Sequence, residues 1–180
     1  MKIVILDRDG VINEESDAFI KSVAEWKPIP GSLEAIARLS HAGYRVFIAS
    51  NQSGIGRGLL DYDALFAIHD RLQRLLGDLG GRNDAIENAP EHPDQASDMR
   101  KPKPGMLIDI GKRLGVPLER VHAVGDSMRD IEAARAAGCK PVLVRTGNGK
   151  KTEKELGKQR KDVAVYDDLA AFASALIATA

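Results

Sequence analysis

Residues 2–10 read Lys-Ile-Val-Ile-Leu-Asp-Arg-Asp-Gly: a short apolar run, mostly β-branched, that ends abruptly in two acids and a glycine. A run of this length without polar alternation marks a strand buried on both faces. Outward from it, similar runs recur at residues 46–49, 121–124, 142–144 and 163–165, with a weak one at 85–86. Amphipathic stretches separate them. Residues 32–42 carry Leu33, Ile36, Ala37 and Leu39 at helical spacing and stop at Gly43, and residues 62–79 repeat Leu65, Ile68, Leu72, Leu75, Leu76 and Leu79. Residues 104–114 open with Pro104 and close at Gly115, residues 129–137 close at Gly138, and residues 168–178 follow the last run. Proline at a helix start and glycine just past its end are the expected punctuation. This alternation predicts an α/β fold, a Rossmann-like three-layer sandwich with a mainly parallel central sheet and helices on both faces. Residues 13–30, 88–104 and 146–161 are expected to be irregular, the last a solvated charged loop rich in Gly and Lys.

A chain of 180 residues fits one domain, taken as 1–180, with a core large enough to need no staples. Lys+Arg and Asp+Glu balance at 26 each, so nothing draws the whole chain to nucleic acid or to an anionic membrane. The one cysteine, Cys139, excludes a disulfide framework or a multi-thiolate metal site and is expected to be a small buried hydrophobe. The apolar run at residues 3–6 is too short for a signal sequence, and no stretch approaches the roughly 20 apolar residues that cross a bilayer. A cytoplasmic monomer with a small-molecule ligand, no nucleic acid and no membrane partner is expected.

In an open parallel sheet, ligands bind beyond the carboxyl ends of the strands, and the polar motifs fall there. Asp7 and Asp9 follow the first run. Two close carboxylates repel and call for a cation or a shared proton; an all-oxygen site suits Mg2+, which also bridges to phosphate. One carboxylate can then attack phosphorus and the other can transfer protons. Ser50-Asn51-Gln52-Ser53-Gly54 follows the second run, with hydroxyl, amide and backbone donors suited to phosphoryl oxygens. Arg100-Lys101-Pro102-Lys103-Pro104 offers Lys101 as a point charge and Arg100 as a planar clamp for a second anion. Gly125-Asp126-Ser127-Met128-Arg129-Asp130 supplies Asp126 as a metal ligand and Asp130 as a partner for Lys101 or Ser127. Each alone fits a plainer reading: an acidic turn, an ordinary loop, a solvated basic loop, a helix N-cap.

Taken in order, these motifs resemble those of the haloacid-dehalogenase-like phosphohydrolases: Asp-x-Asp, Ser/Thr, Lys and Gly-Asp-x-x-x-Asp. The resemblance implies Asp7 as nucleophile, Asp9 as general acid/base, Ser50 and Lys101 on the phosphoryl group, and Mg2+ on Asp7, Asp126 and the main-chain oxygen of Asp9. The longer strings Asp7 to Asn13, Ser50 to Gly58, Arg100 to Met106 and Val144 to Gly147 are similar to the family of D-glycero-D-manno-heptose-1,7-bisphosphate 7-phosphatases, relatives of histidinol-phosphate phosphatases. That branch implies removal of the 7-phosphate of a sugar bisphosphate in heptose-nucleotide synthesis for lipopolysaccharide or surface glycan. It implies substrate contacts at Glu15, Ser16, Asp17, Ala18, Asn51, Gln52, Ser53, Arg57, Arg100 and Ser127, with Arg100 on the second phosphate. Residues 13–30 and 88–99, where relatives insert caps, are short, so no large cap domain is expected.

The chain departs from that branch chiefly in one loop. Relatives carry a structural zinc there on a Cys-x-His and a Cys-x-Cys pair, and the matching positions here are Ala89, Glu91, Ser97 and Met99. No thiolate remains and His92 alone cannot build a tetrahedral site, so zinc is expected to be absent. Ser127 stands where several relatives have Lys, so a cation is missing. His41, His69, His92 and His122 lack ligand spacing and are expected to be surface or satisfied histidines; Met106 and Met128 are expected to pack.

Overall fold

The computed structural model describes residues 1–179; residue 180, the end of the expected 1–180 unit, lies outside them. The elements run β1 (Lys2–Leu6), α1 (Ser32–His41), β2 (Tyr44–Asn51), α2 (Ser53–Gly56), α3 (Tyr62–Asp78), β3 (Ala85–Ala89), α4 (Gly105–Leu114), β4 (His122–Gly125), α5 (Met128–Ala137), β5 (Lys140–Val144), α6 (Gly149–Leu156), β6 (Ala164–Tyr166) and α7 (Leu169–Ala178). The six strands lie in the order β3-β2-β1-β4-β5-β6 and every pairing is parallel, as the α/β reading requires. The chain winds outward from β1 through β2 to β3, then returns to the other side of β1 for β4 to β6. The switch point therefore lies between β1 and β4, and a crevice opens there beyond their carboxyl ends.

The continuous apolar run of β1 has a direct cause. Successive side chains of a strand point to opposite faces. Val4 and Leu6 join a core layer with Ile36, Leu39, Ile68, Leu72 and Phe172. Ile3 and Ile5 join another with Met106, Leu107 and Ile110. Both faces are covered, so neither can be polar. Helix starts follow the capping rules: Asp61 accepts from Ala64 N before α3, and Asp168 from Ala171 N before α7. Cys139 and Met106 are buried in the second layer and Met128 packs against a third cluster, as expected of packing residues.

Residues 146–161 are a correction. They are not a charged loop: α6 occupies Gly149–Leu156 and a 3-10 turn spans Gly157–Arg160. The helix buries Gly149, Thr152 and Leu156, its lysines and Glu155 are exposed, and Glu153 pairs with Arg145 and Arg160. Three contacts in eight residues leave too little apolar periodicity to read. The weak run at 85–86 is the start of β3, which continues through the polar Glu87 and Asn88 because it is an edge strand. No described helix is long and apolar enough to cross a membrane.

Candidate active site

Asp7 leaves β1 at the switch point, its N–H donating to Val124 O at 2.8 Å and so joining the ends of β1 and β4. Its Oδ1 accepts from Arg8 N at 2.7 Å and lies 3.1 Å from Lys101 Nζ. The Lys101 ammonium is buried and also donates to Ala49 O at 2.8 Å and to Asp130 Oδ1 at 2.6 Å. Three acceptors thus match its three protons. Burial works against the ammonium charge, yet Asp130 and Asp7 outweigh it and hold Lys101 above its ordinary value. The backbone of Lys101 is fixed reciprocally by Asn51, whose Nδ2 donates to Lys101 O at 2.9 Å and whose Oδ1 accepts from Lys101 N at 3.0 Å. The basic loop is thereby tied to the end of β2.

Asp130 sits in the first turn of α5. Its Oδ2 accepts from Ser127 N at 3.0 Å and Ser127 Oγ at 2.6 Å, so it partners both Lys101 and Ser127. Burial would raise its carboxyl, but Lys101 holds it below the usual range. Asp126, directly after β4, is buried; its Oδ2 accepts from Asn148 N at 2.8 Å and Nδ2 at 3.2 Å. Gly10 (φ 80) is required beside it, because a Cβ there would lie 2.1 Å from Asp126 Oδ2.

Ligand oxygens of Asp7, Asp126 and Asp130 come within 4.8 Å of one another. Both oxygens of Asp130 are already engaged. The other two acids are not so compensated. Burial and then the Asp130 charge push Asp126 up to about 7. Burial, Asp130, Asp126 and Asp9 push Asp7 well above its ordinary value against the pull of Lys101. Buried, mutually repelling carboxylates with oxygen lone pairs to spare fit a hard divalent cation, which would bring both values back down.

Asp9 is treated differently. The fully buried Arg8 donates to it from Nε at 2.9 Å, Asn13 Nδ2 at 2.9 Å and Gln52 Nε2 at 3.1 Å. Burial raises the Asp9 carboxyl, but Arg8 and the amide donors outweigh it and leave it below the usual range. Gln52 Nε2 also donates to Ser50 Oγ at 2.8 Å, which leaves the Ser50 proton available to a further acceptor.

Above these groups opens a cavity of about 410 Å³. Of the residues singled out from sequence, Asp7, Asp9, Glu15, Ser16, Asp17, Asn51, Gln52, Ser53, Arg100, Lys101 and Ser127 line it. Ser50 and Asp126 lie buried beneath, Ala18 faces a neighbouring groove, and Arg57 stacks over the Phe19 ring at 5.5 Å. Sequence reasoning missed Phe19, Arg129, Asn148, Lys151 and Thr152 on its walls, and Arg8 and Asn13 below. Phe19 is the one non-glycine described residue with positive φ (65°), a conformation that marks a constrained position. Arg8 had a signal, since an arginine between two acids at a strand end has carboxylates to hold. His69 corrects the histidine expectation: it is buried, its Nε2 has no partner among the described residues, and burial pushes it down to about 4.

The loop from Ala89 to Met99 is braced by its own side chains. Ala89 is fully buried and packs with Met99 in the second core layer. Ser97 Oγ donates to Glu91 Oε1 at 2.5 Å and accepts from Met99 N at 3.1 Å.

Comparison with known proteins gives a concordant result. Residues 98–172 match the family model for HAD-hydrolase-like proteins. The D-glycero-beta-D-manno-heptose-1,7-bisphosphate 7-phosphatase of Pseudomonas aeruginosa is 54% identical over 176 residues, covering 97% of this chain and 97% of its own. Its counterpart in Bordetella bronchiseptica is 53% identical over 177 residues, covering 98% of each chain. The crystal structure of D,D-heptose 1,7-bisphosphate phosphatase from B. bronchiseptica, complexed with magnesium and phosphate, superposes with a TM-score of 0.97 over 100% of both chains at 53% identity.

Proposed function

The chain belongs to the D-glycero-beta-D-manno-heptose-1,7-bisphosphate 7-phosphatase family of HAD-like hydrolases, and from that membership we propose that it removes the 7-phosphate of the β-configured heptose 1,7-bisphosphate. The reaction would take place in the cytoplasm and supply heptose for nucleotide-activated precursors of lipopolysaccharide or surface glycan. The observation that carries this reading is the buried chain Asp7–Lys101–Asp130 at the switch point, with Arg100 on the wall of the same cavity. One end holds and neutralises a phosphoryl group; the other offers a cation to a second phosphate.

In the first half-reaction Asp7 attacks phosphorus, the bond from phosphorus to the sugar oxygen breaks, and Asp9 gives that oxygen a proton. In the second, Asp9 takes a proton from water, whose oxygen attacks phosphorus, and inorganic phosphate leaves with Asp7 restored. Arg8, Asn13 and Gln52 hold the Asp9 carboxylate for that exchange, and the arriving phosphate charge raises its proton affinity. Ser50 and Lys101 hold the transferring group. Mg2+ on Asp7, Asp126 and the Asp9 main-chain oxygen would neutralise the charge between nucleophile and phosphate.

The chain is further proposed to work without structural zinc. Ala89, Glu91, Ser97 and Met99 offer no thiolate, and the Glu91–Ser97 hydrogen bond with the Ala89–Met99 packing takes over the bracing. Elemental analysis finding one zinc per chain would overturn that view. The substrate proposal is tested by measuring kcat/KM with Mg2+ on both anomers of the 1,7-bisphosphate and on histidinol phosphate. The β-bisphosphate should be preferred; faster turnover of histidinol phosphate would refute it.

A further inference from the structure

Arg129 has no role in the machinery described above, yet it lines the cavity from the first turn of α5. It is exposed and makes no hydrogen bond or ion pair among the described residues. Glu15 on the same cavity attracts it, but two features make its position unfavourable. A cation near a helix N-terminus opposes the helix dipole. Arg100 lines the same cavity and carries the same charge, and the one hydrogen bond of its side chain among the described residues is a long donation from Nη1 to Glu91 O at 3.4 Å. The two guanidinium groups also disfavour each other: after burial, Arg129 contributes most to holding Arg100 below its ordinary value. Arg57 is drawn aside onto the Phe19 ring. A phosphate dianion between Arg100 and Arg129 relieves both, just as a divalent cation relieves the acids beneath.

Position 127 points the same way. Ser127 turns its hydroxyl into Asp130 and carries no charge, so Arg129 is the nearest cation α5 can offer to the cavity. We propose that Arg129 is a specificity-determining residue, which together with Arg100 clamps the phosphate that is not hydrolysed. This rests on the bisphosphate reading above and adds a second fork to it. Two planar guanidinium groups can each present paired N–H donors to one phosphate.

The test uses the full chain with Mg2+ and two substrates, the heptose 1,7-bisphosphate and the heptose 7-phosphate that lacks the second group. Arg129→Ala should lower the bisphosphate-to-monophosphate ratio of kcat/KM by roughly 10- to 100-fold, the range for a lost hydrogen bond to a charged group. The loss should fall on KM more than on kcat, and Arg129→Lys should recover part of it. An Arg129→Ala ratio equal to wild type, with Arg100→Ala collapsing it, would overturn the inference and spare the bisphosphate reading. Wild-type protein that turns over both substrates alike would sink that reading and this inference with it.

Discussion

Replacing Lys101 by Met keeps most of the buried stem and removes the ammonium. The wild-type group sits 2.6 Å from Asp130, 2.8 Å from the Ala49 carbonyl and 3.1 Å from Asp7, at 4% exposure. Removing one partner of a buried ion pair leaves an uncompensated charge and costs about 3–5 kcal/mol. That is a large share of the roughly 5–15 kcal/mol that holds a domain together. With a urea slope of about 1–3 kcal/mol per molar, the unfolding midpoint should fall by about 2 M. Trp26, the single tryptophan, is buried and reports the transition by fluorescence. The pH dependence fixes the cause. In wild type Lys101 holds Asp130 below its usual range; without the lysine, burial raises it instead. A raised folded pKa gives stability that is present at low pH and lost as pH rises. The deficit of Lys101→Met should therefore be smaller at pH 5 than at pH 8, and Asp130→Asn in the same chain should recover part of it. A variant within 1 kcal/mol of wild type, or a deficit independent of pH, would refute the reasoning.

Three further outcomes follow from the same geometry. Asp126 is pushed up to about 7 and Asp7 is raised as well, so their contribution to stability without metal is present at low pH and lost as pH rises through the folded values. Protons and Mg2+ compete for them, so the rise in melting temperature on adding Mg2+ should be larger at pH 8 than at pH 5 when followed by scanning fluorimetry. Gly10→Ala places a side chain at positive φ and drives it into Asp126; stability should fall by about 1–2 kcal/mol from the backbone alone, and Mg2+ affinity measured by calorimetry should fall with it. Cys139 is buried and its thiol is pushed up to about 12, so the native protein should not react with a thiol reagent that labels it at once in urea.

The sheet was legible because β1, β2, β4 and β5 announce themselves as apolar runs buried on both faces, because β6 shows a short apolar run at the edge, and because β1 is followed at once by its acids. The acids Asp7, Asp126 and Asp130, with Lys101, were legible as residue types at strand ends. What the sequence concealed has two causes. Helix α6 is held by Gly149, Thr152 and Leu156 within a lysine-rich segment, so local pattern reports its solvent face and hides its anchor. Polar networks leave no periodicity at all. Gln52 comes from the end of β2 to join the neighbouring Arg8 and Asn13 at Asp9, and Asn148 reaches Asp126 from beyond β5. Phe19 shows its constraint only in a backbone angle.

The central claim is that Asp7 carries the phosphoryl group. Rapid acid quench of turnover with substrate labelled with 32P at the 7-phosphate tests it directly. The account predicts hydroxylamine-labile label on the tryptic peptide spanning residues 3–8, appearing before phosphate release and absent from Asp7→Asn. Hydrolysis that proceeds in Asp7→Asn, or label trapped on another peptide, would contradict it.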